Sequence, residues 1–271
     1  MGISPSNKSF IHPDFLLETE AAKRLYHEFA KDLPILDYHN HLSPKAISEN
    51  TIFNSVTQLW LEGDHYKWRA LRTLGVDEKY ITGTATDQEK FVHYASSVPF
   101  MIRNPLYHWT HLELKRYFGI SELLSKNNAS ALYEQTNAMA TSTDFSTLSL
   151  LEKMNVERVC TTDDPLDNLE HHKTFATGKN KIQMNPAFRP DKSILIEASH
   201  FNDYIEALGT AADLHIKSFN DLFFVDLRAP TYPVRVSRIC SKLPKMSSQL
   251  LRGQHLHSHK AWLPCRTIEP S

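Results

Sequence analysis

The sequence predicts an α/β fold, with a parallel sheet of the (β/α)-barrel type that carries a site for a polar, anionic ligand. Three observations point to it. In the second half of the chain, short apolar segments that end in polar residues recur about every 25 residues, and helical segments lie between them. Side chains capable of chemistry stand at the end of each such segment. Histidine is also unusually frequent, at 15 of 271 residues.

The first two elements are a helix and a strand. Residues 14–31 place apolar side chains at three-to-four spacing, with acids early and a lysine late, which predicts an amphipathic helix. Residues 33–42 begin apolar, end polar and are closed by Ser43 and Pro44. We expect a buried strand there, whose last residues emerge at a functional rim.

Residues 43–150 are predicted to form mainly helices and loops, a long helical insert after the first strand. Thr86 and Glu89 make a capping-box pattern that opens one helix. Residues 112–117 and 130–140 are typical of parts of two more.

Strands return after the insert. Residues 156–164 predict one that stops at Pro165, and residues 181–189 predict another that stops at Pro190. A helix is expected over roughly 194–216. Because ligands bind at the carboxyl ends of parallel strands, the polar residues that end the three strands become candidates for a site.

His39 and His41 follow the first strand and are the sharpest candidates. Side chains two apart in a strand point to the same face, so both imidazoles can reach one cation, and zinc favours such donors. The alternative is two rim histidines that are hydrogen-bonded to carboxylates. A second run of alternating histidines, at His255, His257 and His259, has no apolar strand before it and is taken as a chance occurrence.

Residues 63–69 bring His65 and Tyr66 together with several charges. A tyrosine beside a cation is suited to proton transfer, because positive charge stabilises the phenolate. The spacing alone favours the plainer interpretation, a solvated helix start. Trp109 and Tyr117 are predicted to be packing residues.

Arg189 stands at the end of the third strand, where its planar guanidinium could clamp a carboxylate. A structural ion pair explains it equally well. Asp163 and Asp164 could bind a metal or cap the following helix, and the sequence favours capping.

Composition excludes several classes of protein. None of the eight glycines lies within three residues of another, which excludes a P-loop and a G-x-G-x-x-G dinucleotide fingerprint. No apolar run approaches the roughly 20 residues that span a bilayer, so no membrane partner is expected. Three cysteines provide no disulfide framework, which indicates a reducing compartment and a cytoplasmic location.

Charge divides the chain into a body, residues 1–222, and a tail, residues 223–271. The tail holds eight Lys or Arg against two acidic residues, which gives it a net charge of +6. Because the whole chain has a net charge of −1, the body has a net charge of −7. A basic segment could suggest nucleic acid. The composition changes abruptly at the start of the tail, which favours the interpretation that the tail is not native to the fold. No nucleic-acid partner is therefore expected.

Several motifs in one order resemble the uronate (glucuronate) isomerases, a divergent branch of the amidohydrolase superfamily. They cover residues 37–45, 63–69, 104–114, 159–165 and 188–192, within a resemblance that runs from about residue 12 to about residue 222. The resemblance implies a distorted (β/α)₈ barrel of the TIM type, of which this chain would hold the N-terminal part with the helical insert.

The same resemblance implies a reaction and a site. The family interconverts D-glucuronate with D-fructuronate, and D-galacturonate with D-tagaturonate, by proton transfer between C2 and C1. One divalent metal ion, usually zinc, would be held by His39 and His41. Tyr66 matches the active-site tyrosine, His65 is its neighbour, and Arg189 matches the substrate-binding arginine. The expected partner is a small uronate, and a homo-oligomer is compatible with the family.

The chain departs from the family pattern after Leu222. The family's later half supplies an aspartate metal ligand and a further arginine, neither of which we find in residues 223–271. At about 30 residues per βα unit, the body without its insert makes about four of eight units. The alternative hypothesis is therefore a truncated, catalytically inactive fragment with residual metal or sugar binding. A metal-dependent amide or ester hydrolase of the same superfamily would not explain the segments at residues 64–69 and 109–111.

Overall fold

The computed structural model describes residues 9–222; residues 1–8 and the basic tail, residues 223–271, lie outside this description. The described residues divide into two units after Ile194. Within residues 9–222, no helix has the length and apolar character needed to cross a membrane.

Among residues 9–222, the first unit contains a three-stranded parallel sheet. Its strands are β1 (Ile35–Asp37), β2 (Val156–Asp163) and β3 (Gln183–Phe188), in the spatial order β1-β2-β3. Asp37 lies opposite Val159 of β2, and Asp163 lies opposite Phe188 of β3. The predicted α/β class with a parallel sheet is confirmed, and the carboxyl ends of the strands share one edge.

The prediction for β1 was wrong in length and burial. The strand covers three residues rather than 33–42, and Ile35 and Leu36 are 47% and 45% exposed. The physical reason is its position, since β1 is an edge strand with β2 as its one strand neighbour among the described residues. The chain nevertheless stays beside β2 after the strand ends. The Asn40 N–H donates to the Cys160 carbonyl at 3.2 Å, and Thr162 Oγ1 donates to the Asn40 carbonyl at 2.5 Å.

The N-terminal helix is shorter than predicted. Helix α1 (Glu20–Arg24) continues into one wide turn of π-helix, Leu25–Ala30. Thr19 sets the start, because its side chain accepts the Ala22 N–H at 3.1 Å. Phe29, on the apolar stripe of the sequence pattern, is 60% exposed. Amphipathic periodicity therefore placed the helix correctly but did not predict how little of it is buried.

Between β1 and β2 the chain is helical, as predicted for residues 43–150. The helices are α2 (Pro44–Ser48), α3 (Val56–Leu61), α4 (His65–Thr73), α5 (Asp87–Ser97), α6 (Pro105–Phe118), α7 (Ala129–Ala140) and α8 (Thr147–Lys153). Single 3₁₀ turns at Glu78–Tyr80, Val98–Phe100 and Thr143–Phe145 join some of them.

Local sequence explains where these helices begin and end. Thr86 and Glu89 form the predicted capping box of α5, in which the Thr86 N–H donates to Glu89 Oε2 at 2.8 Å. Asn104 caps α6, and Pro105 occupies its first turn, where a missing N–H costs nothing. Gly119 ends α6 with φ of +70°, a left-handed conformation that favours glycine.

Two hydrophobic cores support these elements. The helical core is built on α3 to α7, and its largest fully buried side chains include Phe91, Tyr94 and Leu114. The sheet core lies under β2 and β3 and is formed by Ile47, Leu151, Val156, Val159, Phe175, Ile182 and Met184. Burying each large apolar side chain stabilises the fold by about 1.5–3 kcal/mol. The helical region thus carries a core of its own.

Short helices follow the second and third strands. Helix α9 (Glu170–Thr177) comes after β2 and packs on β3, and α10 (Asp191–Ile194) comes directly after β3. In the second unit, α11 (Phe201–Ala212) lies inside the range predicted for a helix, 194–216. The predicted domain limits, with a body of residues 1–222 and a tail of residues 223–271, stay a prediction.

Candidate functional site

His39 and His41 lie just beyond the carboxyl end of β1, and both side chains are exposed. Their ring centroids are 5.1 Å apart and their planes cross at 88°. Asn40, between them, is tied to the sheet through its backbone, and its side-chain amide donates to Asp37 Oδ2 at 3.1 Å. The alternative prediction was that carboxylates hold the two imidazoles by hydrogen bonds. Within residues 9–222, neither imidazole makes a hydrogen bond or ion pair with a carboxylate.

The two imidazoles fit a shared metal ion in part. At zinc–nitrogen distances of about 2.1 Å and a tetrahedral angle, two ring centres stand about 5 Å apart, close to the 5.1 Å between His39 and His41. A structural zinc site needs four ligands. Among the described residues, no group of three or more His, Cys, Asp or Glu side chains could hold a metal.

Arg189 lies one residue beyond β3, at the same edge of the sheet, and is exposed. Its backbone N–H donates to the carbonyl of Asp163 at 3.0 Å. Its Nε donates to Asp191 Oδ2 at 2.6 Å, so the ion pair left open by the sequence is formed. Both partners are about half exposed, and such a pair is worth little to stability.

A buried polar network at the end of β2 was not predicted. Thr161 Oγ1 donates to Asp163 Oδ2 at 2.7 Å and lies 2.8 Å from His172 Nε2. Because the threonine hydrogen is directed at the carboxylate, His172 must donate through Nε2. All three residues are buried, and burial lowers the pKa of His172 although Asp163 acts in the opposite direction. His171 and His172 are adjacent in the sequence, and only packing distinguishes the buried one.

Asp164 stabilises a turn rather than a helix. Its Oδ1 accepts the Leu166 N–H at 2.9 Å, and its Oδ2 lies 3.2 Å from Lys192 Nζ. Helix α9 begins later, after Leu169, which has no side-chain capping bond. The favoured prediction, that Asp163 or Asp164 caps this helix, was therefore wrong because a separate turn comes between strand and helix.

His65 and Tyr66 open helix α4, and both are exposed. Asp64 sets their position, because its Oδ1 accepts the N–H groups of Tyr66 at 3.0 Å and of Lys67 at 2.9 Å. His65 packs edge-to-face on Trp68, with ring centroids 4.9 Å apart. The helix start predicted for residues 63–69 is thus correct.

Lys67 anchors this cap from inside the helical core. Its Nζ donates to the Trp60 carbonyl at 2.9 Å and lies 3.4 Å from Asp64 Oδ2. Burial is the largest influence on its pKa and acts to lower it, but Tyr94, Glu113 and Asp64 together outweigh burial and raise the pKa above its ordinary value. The buried amine therefore stays charged and holds the Asp64 carboxylate in place.

A cavity of about 470 Å³ lies between α4 and the segment that leads into α6. Its walls include Tyr66, Arg69, Phe100, Ile102, Asn104 and Trp109. Trp109 is 51% exposed, so the prediction that it is a packing residue was wrong. Tyr117, predicted likewise, does pack against the helical core. Periodicity could not separate the two, because both lie on α6 and only the neighbouring segment decides which side is covered.

The predicted site residues therefore occupy two places. His39, His41 and Arg189 lie at the carboxyl edge of the sheet, whereas His65 and Tyr66 lie at the start of α4. Within the part of the chain that the structure describes, no hydrogen bond, ion pair or ring contact joins the two groups. Whether they form one site stays a prediction.

Comparison with known proteins identifies the family. A family profile described as glucuronate isomerase matches residues 7–230. Curated relatives named uronate isomerase are 51% identical over 217 residues, from Flavobacterium johnsoniae, and 53% identical over 215 residues, from Yersinia enterocolitica. These alignments cover 80% and 79% of this chain and 46% of each relative, so the chain spans about half the length of the curated relatives it matches.

Solved structures of uronate isomerases also resemble this chain. The crystal structure of uronate isomerase from Thermotoga maritima is 34% identical, with a TM-score of 0.74 over 81% of this chain and 48% of that one. That of glucuronate isomerase from Caulobacter crescentus, at 24% identity and a TM-score of 0.68, shares the fold over 83% of this chain and 47% of that one. The length of the profile match and the identity to curated relatives lead to one conclusion: this chain belongs to the glucuronate isomerase family.

Proposed function

We propose that this chain acts in aldose–ketose isomerisation of hexuronates, interconverting D-glucuronate with D-fructuronate and D-galacturonate with D-tagaturonate. The observation that carries the proposal is the match of residues 7–230 to the glucuronate isomerase family. The named relatives support it, because two of them are more than half identical to this chain over the aligned residues.

We further propose that β1, β2 and β3 are the first three strands of a distorted (β/α)₈ barrel, with the helices between β1 and β2 as an insertion. Their spatial order follows their order in the chain, all are parallel, and a helix follows each of the last two. These are the features of successive βα units in such a barrel. In barrels of this kind the active site lies at the carboxyl ends of the strands.

The reaction moves one proton between neighbouring carbons. A base removes the proton on C2 of the open-chain aldose, the O2 hydroxyl loses its proton as C2 becomes a carbonyl, and C1 and O1 each gain one. We assign proton transfer to Tyr66 with His65. Their exposure at a capped helix start supports this, since both side chains are open to a ligand.

Arg189 is proposed to bind the substrate. Asp191 accepts its Nε, and within residues 9–222 its terminal nitrogens make no hydrogen bond or ion pair. A guanidinium held along one side presents the other to a hydroxyl or carboxylate oxygen.

His39 and His41 are proposed to hold one divalent metal ion, and zinc suits two imidazole donors. The chemistry that such an ion supplies when bound is Lewis-acid polarisation of a substrate oxygen. Asn40 supports the assignment, because its bonds to Cys160 and Asp37 fix the backbone between the two histidines.

A cytoplasmic location and a small uronate as the partner follow from the same proposal. The buried Cys160 thiol supports a reducing compartment. Self-association into a homo-oligomer is proposed as well, and nucleic acid and membranes are not expected partners.

Fructuronate formation by the purified 271-residue chain tests the proposal, with D-glucuronate as substrate and zinc or manganese added. We expect turnover that His39→Ala abolishes. His171→Ala, a partly exposed histidine of α9, is the matched control and should retain activity. Turnover that persists undiminished in His39→Ala would contradict the assignment of His39.

A second candidate is a chain that binds metal or sugar acid without turnover. The observation that favours it is the two-histidine donor set, since no described group of three ligating side chains exists and two ligands hold a metal weakly. Zinc binding that His39→Ala abolishes, with no fructuronate formed, would assign the chain to this candidate.

A further inference from the structure

We propose that the cavity beside helix α4 is a binding site for a sugar acid, in which Arg69 pairs with the ligand's carboxylate and Trp109 covers its apolar face. The proposal rests on the proposed function for the class of ligand. Arg69, Asn104 and Trp109 belong to the motifs at residues 63–69 and 104–114, but none of them was given a ligand-binding role above. Tyr66, the proposed proton-transfer residue, forms part of the wall.

Arg69 is a cation that faces no carboxylate partner in the part of the chain that the structure describes. It lies one turn after Tyr66 on α4, with its guanidinium 5.4 Å from the centre of the Tyr66 ring. Within residues 9–222 it forms no ion pair. Arg72, on the same helix, is by contrast held by Glu78, with Nε and Nη2 at 2.8 and 2.6 Å from the two carboxylate oxygens. The two arginines show the difference between a structural cation and one left open to a ligand.

The charge of the cavity wall favours an anion. Among the described residues that line it, Arg69 is the single charged one and none is acidic. A planar guanidinium forms two parallel hydrogen bonds with a carboxylate. A neutral ligand of the same size would leave that capacity unused.

Polar and aromatic groups around Arg69 suit the rest of a sugar. Asn104 uses its side-chain oxygen to cap α6, by accepting the Leu106 N–H at 3.0 Å, which leaves its amide N–H groups for a ligand. Tyr66 adds a hydroxyl. Trp109 is half exposed and offers a flat, rigid face to C–H groups. A volume of about 470 Å³ lies within the range of small-molecule sites.

The strongest rival occupant is another polypeptide. Phe100 and Ile102 line the same cavity and are 76% and 69% exposed. An apolar protein partner would cover these two side chains but would leave the Arg69 guanidinium without a counter-charge. The position of Arg69 therefore favours the sugar acid, and self-association becomes an outcome of the test.

Calorimetric titration of the 271-residue chain in EDTA tests the proposal, with D-glucuronate and D-glucose as probes because they differ in the carboxylate. We expect glucuronate to bind and glucose to bind at least about tenfold more weakly, the size expected for losing one charge-assisted interaction. Arg69→Gln should weaken glucuronate binding by about tenfold or more. Arg72→Gln, the matched control, should leave it unchanged, with folding of each variant checked by circular dichroism.

The outcomes separate this proposal from the isomerase proposal. Equal affinity of Arg69→Gln, binding that depends on Arg189 instead, or no binding by the unsubstituted chain overturns the cavity site, even if the chain forms fructuronate. Binding that requires Arg69 in a chain that forms no fructuronate supports the site and contradicts the isomerase proposal. Sedimentation that shows a dimer dissociated by Ile102→Ser, with glucuronate binding absent, assigns the cavity to self-association.

Discussion

The backbone N–H of Arg189 donates to the carbonyl oxygen of Asp163 at 3.0 Å. This bond continues the pairing of β2 and β3 by one step beyond the last residues of the two strands. The side chain of Asp163 meanwhile belongs to the buried network with Thr161 and His172. Asp163 thus pairs with the proposed substrate-binding arginine through its backbone and with the buried network through its side chain.

Thr161→Val should destabilise the fold by about 1–3 kcal/mol, because it leaves the buried Asp163 and His172 without their shared partner. Urea unfolding followed by circular dichroism measures this. Thr177→Val changes an exposed threonine at the end of α9 and should stay within about 0.5 kcal/mol of the unsubstituted chain. Equal stabilities of the two variants would show that the network contributes nothing.

Stability should fall as the pH drops below about 6.5, the ordinary pKa of histidine. Burial lowers the pKa of His172, and of His111, in the folded chain, so the unfolded chain binds more protons as the pH falls. The stabilisation is thus complete above the unfolded pKa and is lost as the pH falls from there through the folded pKa. Free energies of unfolding measured from pH 8 to pH 5 check this.

His172→Asn should make the free energy of unfolding depend less steeply on pH. The pH dependence that remains should come from His111. His171→Asn, the adjacent and partly exposed histidine, should leave the slope as it is. A slope that is the same in all three chains would exclude His172 as the source of the pH dependence.

Lys67→Met should destabilise the fold by about 3 kcal/mol, because removing one partner leaves the carboxylates of Asp64 and Glu113 uncompensated near the core. Burial raises the pKa of Glu113, and Lys67 opposes this shift, so the two side chains interact. The double variant with Glu113→Gln should therefore lose less free energy of unfolding than the sum of the losses of the two single variants. Lys126→Met, on an exposed lysine, is the control. Denaturant unfolding measures these losses. If the shift in the denaturant midpoint of the double variant equals the sum of the two single shifts, the coupling between Lys67 and Glu113 is contradicted.

Local signals predicted much of the fold. Pro165 and Pro190 each lie two residues beyond the observed ends of β2 and β3, and both strands were placed to within two residues. Pro186 lies inside β3, so a proline alone does not end a strand. The capping box of Thr86 and Glu89 fixed the start of α5. Each of these features depends on residues close together in the chain, which a single sequence records directly.

Long-range packing explains what was missed. The exposure of β1 follows from its place at the edge of the described sheet, and the burial of His172 follows from α9 packing against β3. Trp109 and Tyr117 share a helix but differ in surroundings, so one lines a cavity and the other joins the core. The sequence alone records no pairing partner for any of these residues.

The most direct test of the isomerase proposal is proton transfer by Tyr66. Proton NMR of D-glucuronate with the 271-residue chain and zinc follows the appearance of fructuronate. We expect turnover to fall at least about a hundredfold in Tyr66→Phe, the usual scale for the loss of a proton-transfer group. Tyr80→Phe, a change elsewhere in the helical region, should retain turnover. Equal rates in Tyr66→Phe and the unsubstituted chain, or no fructuronate from either, would contradict this expectation.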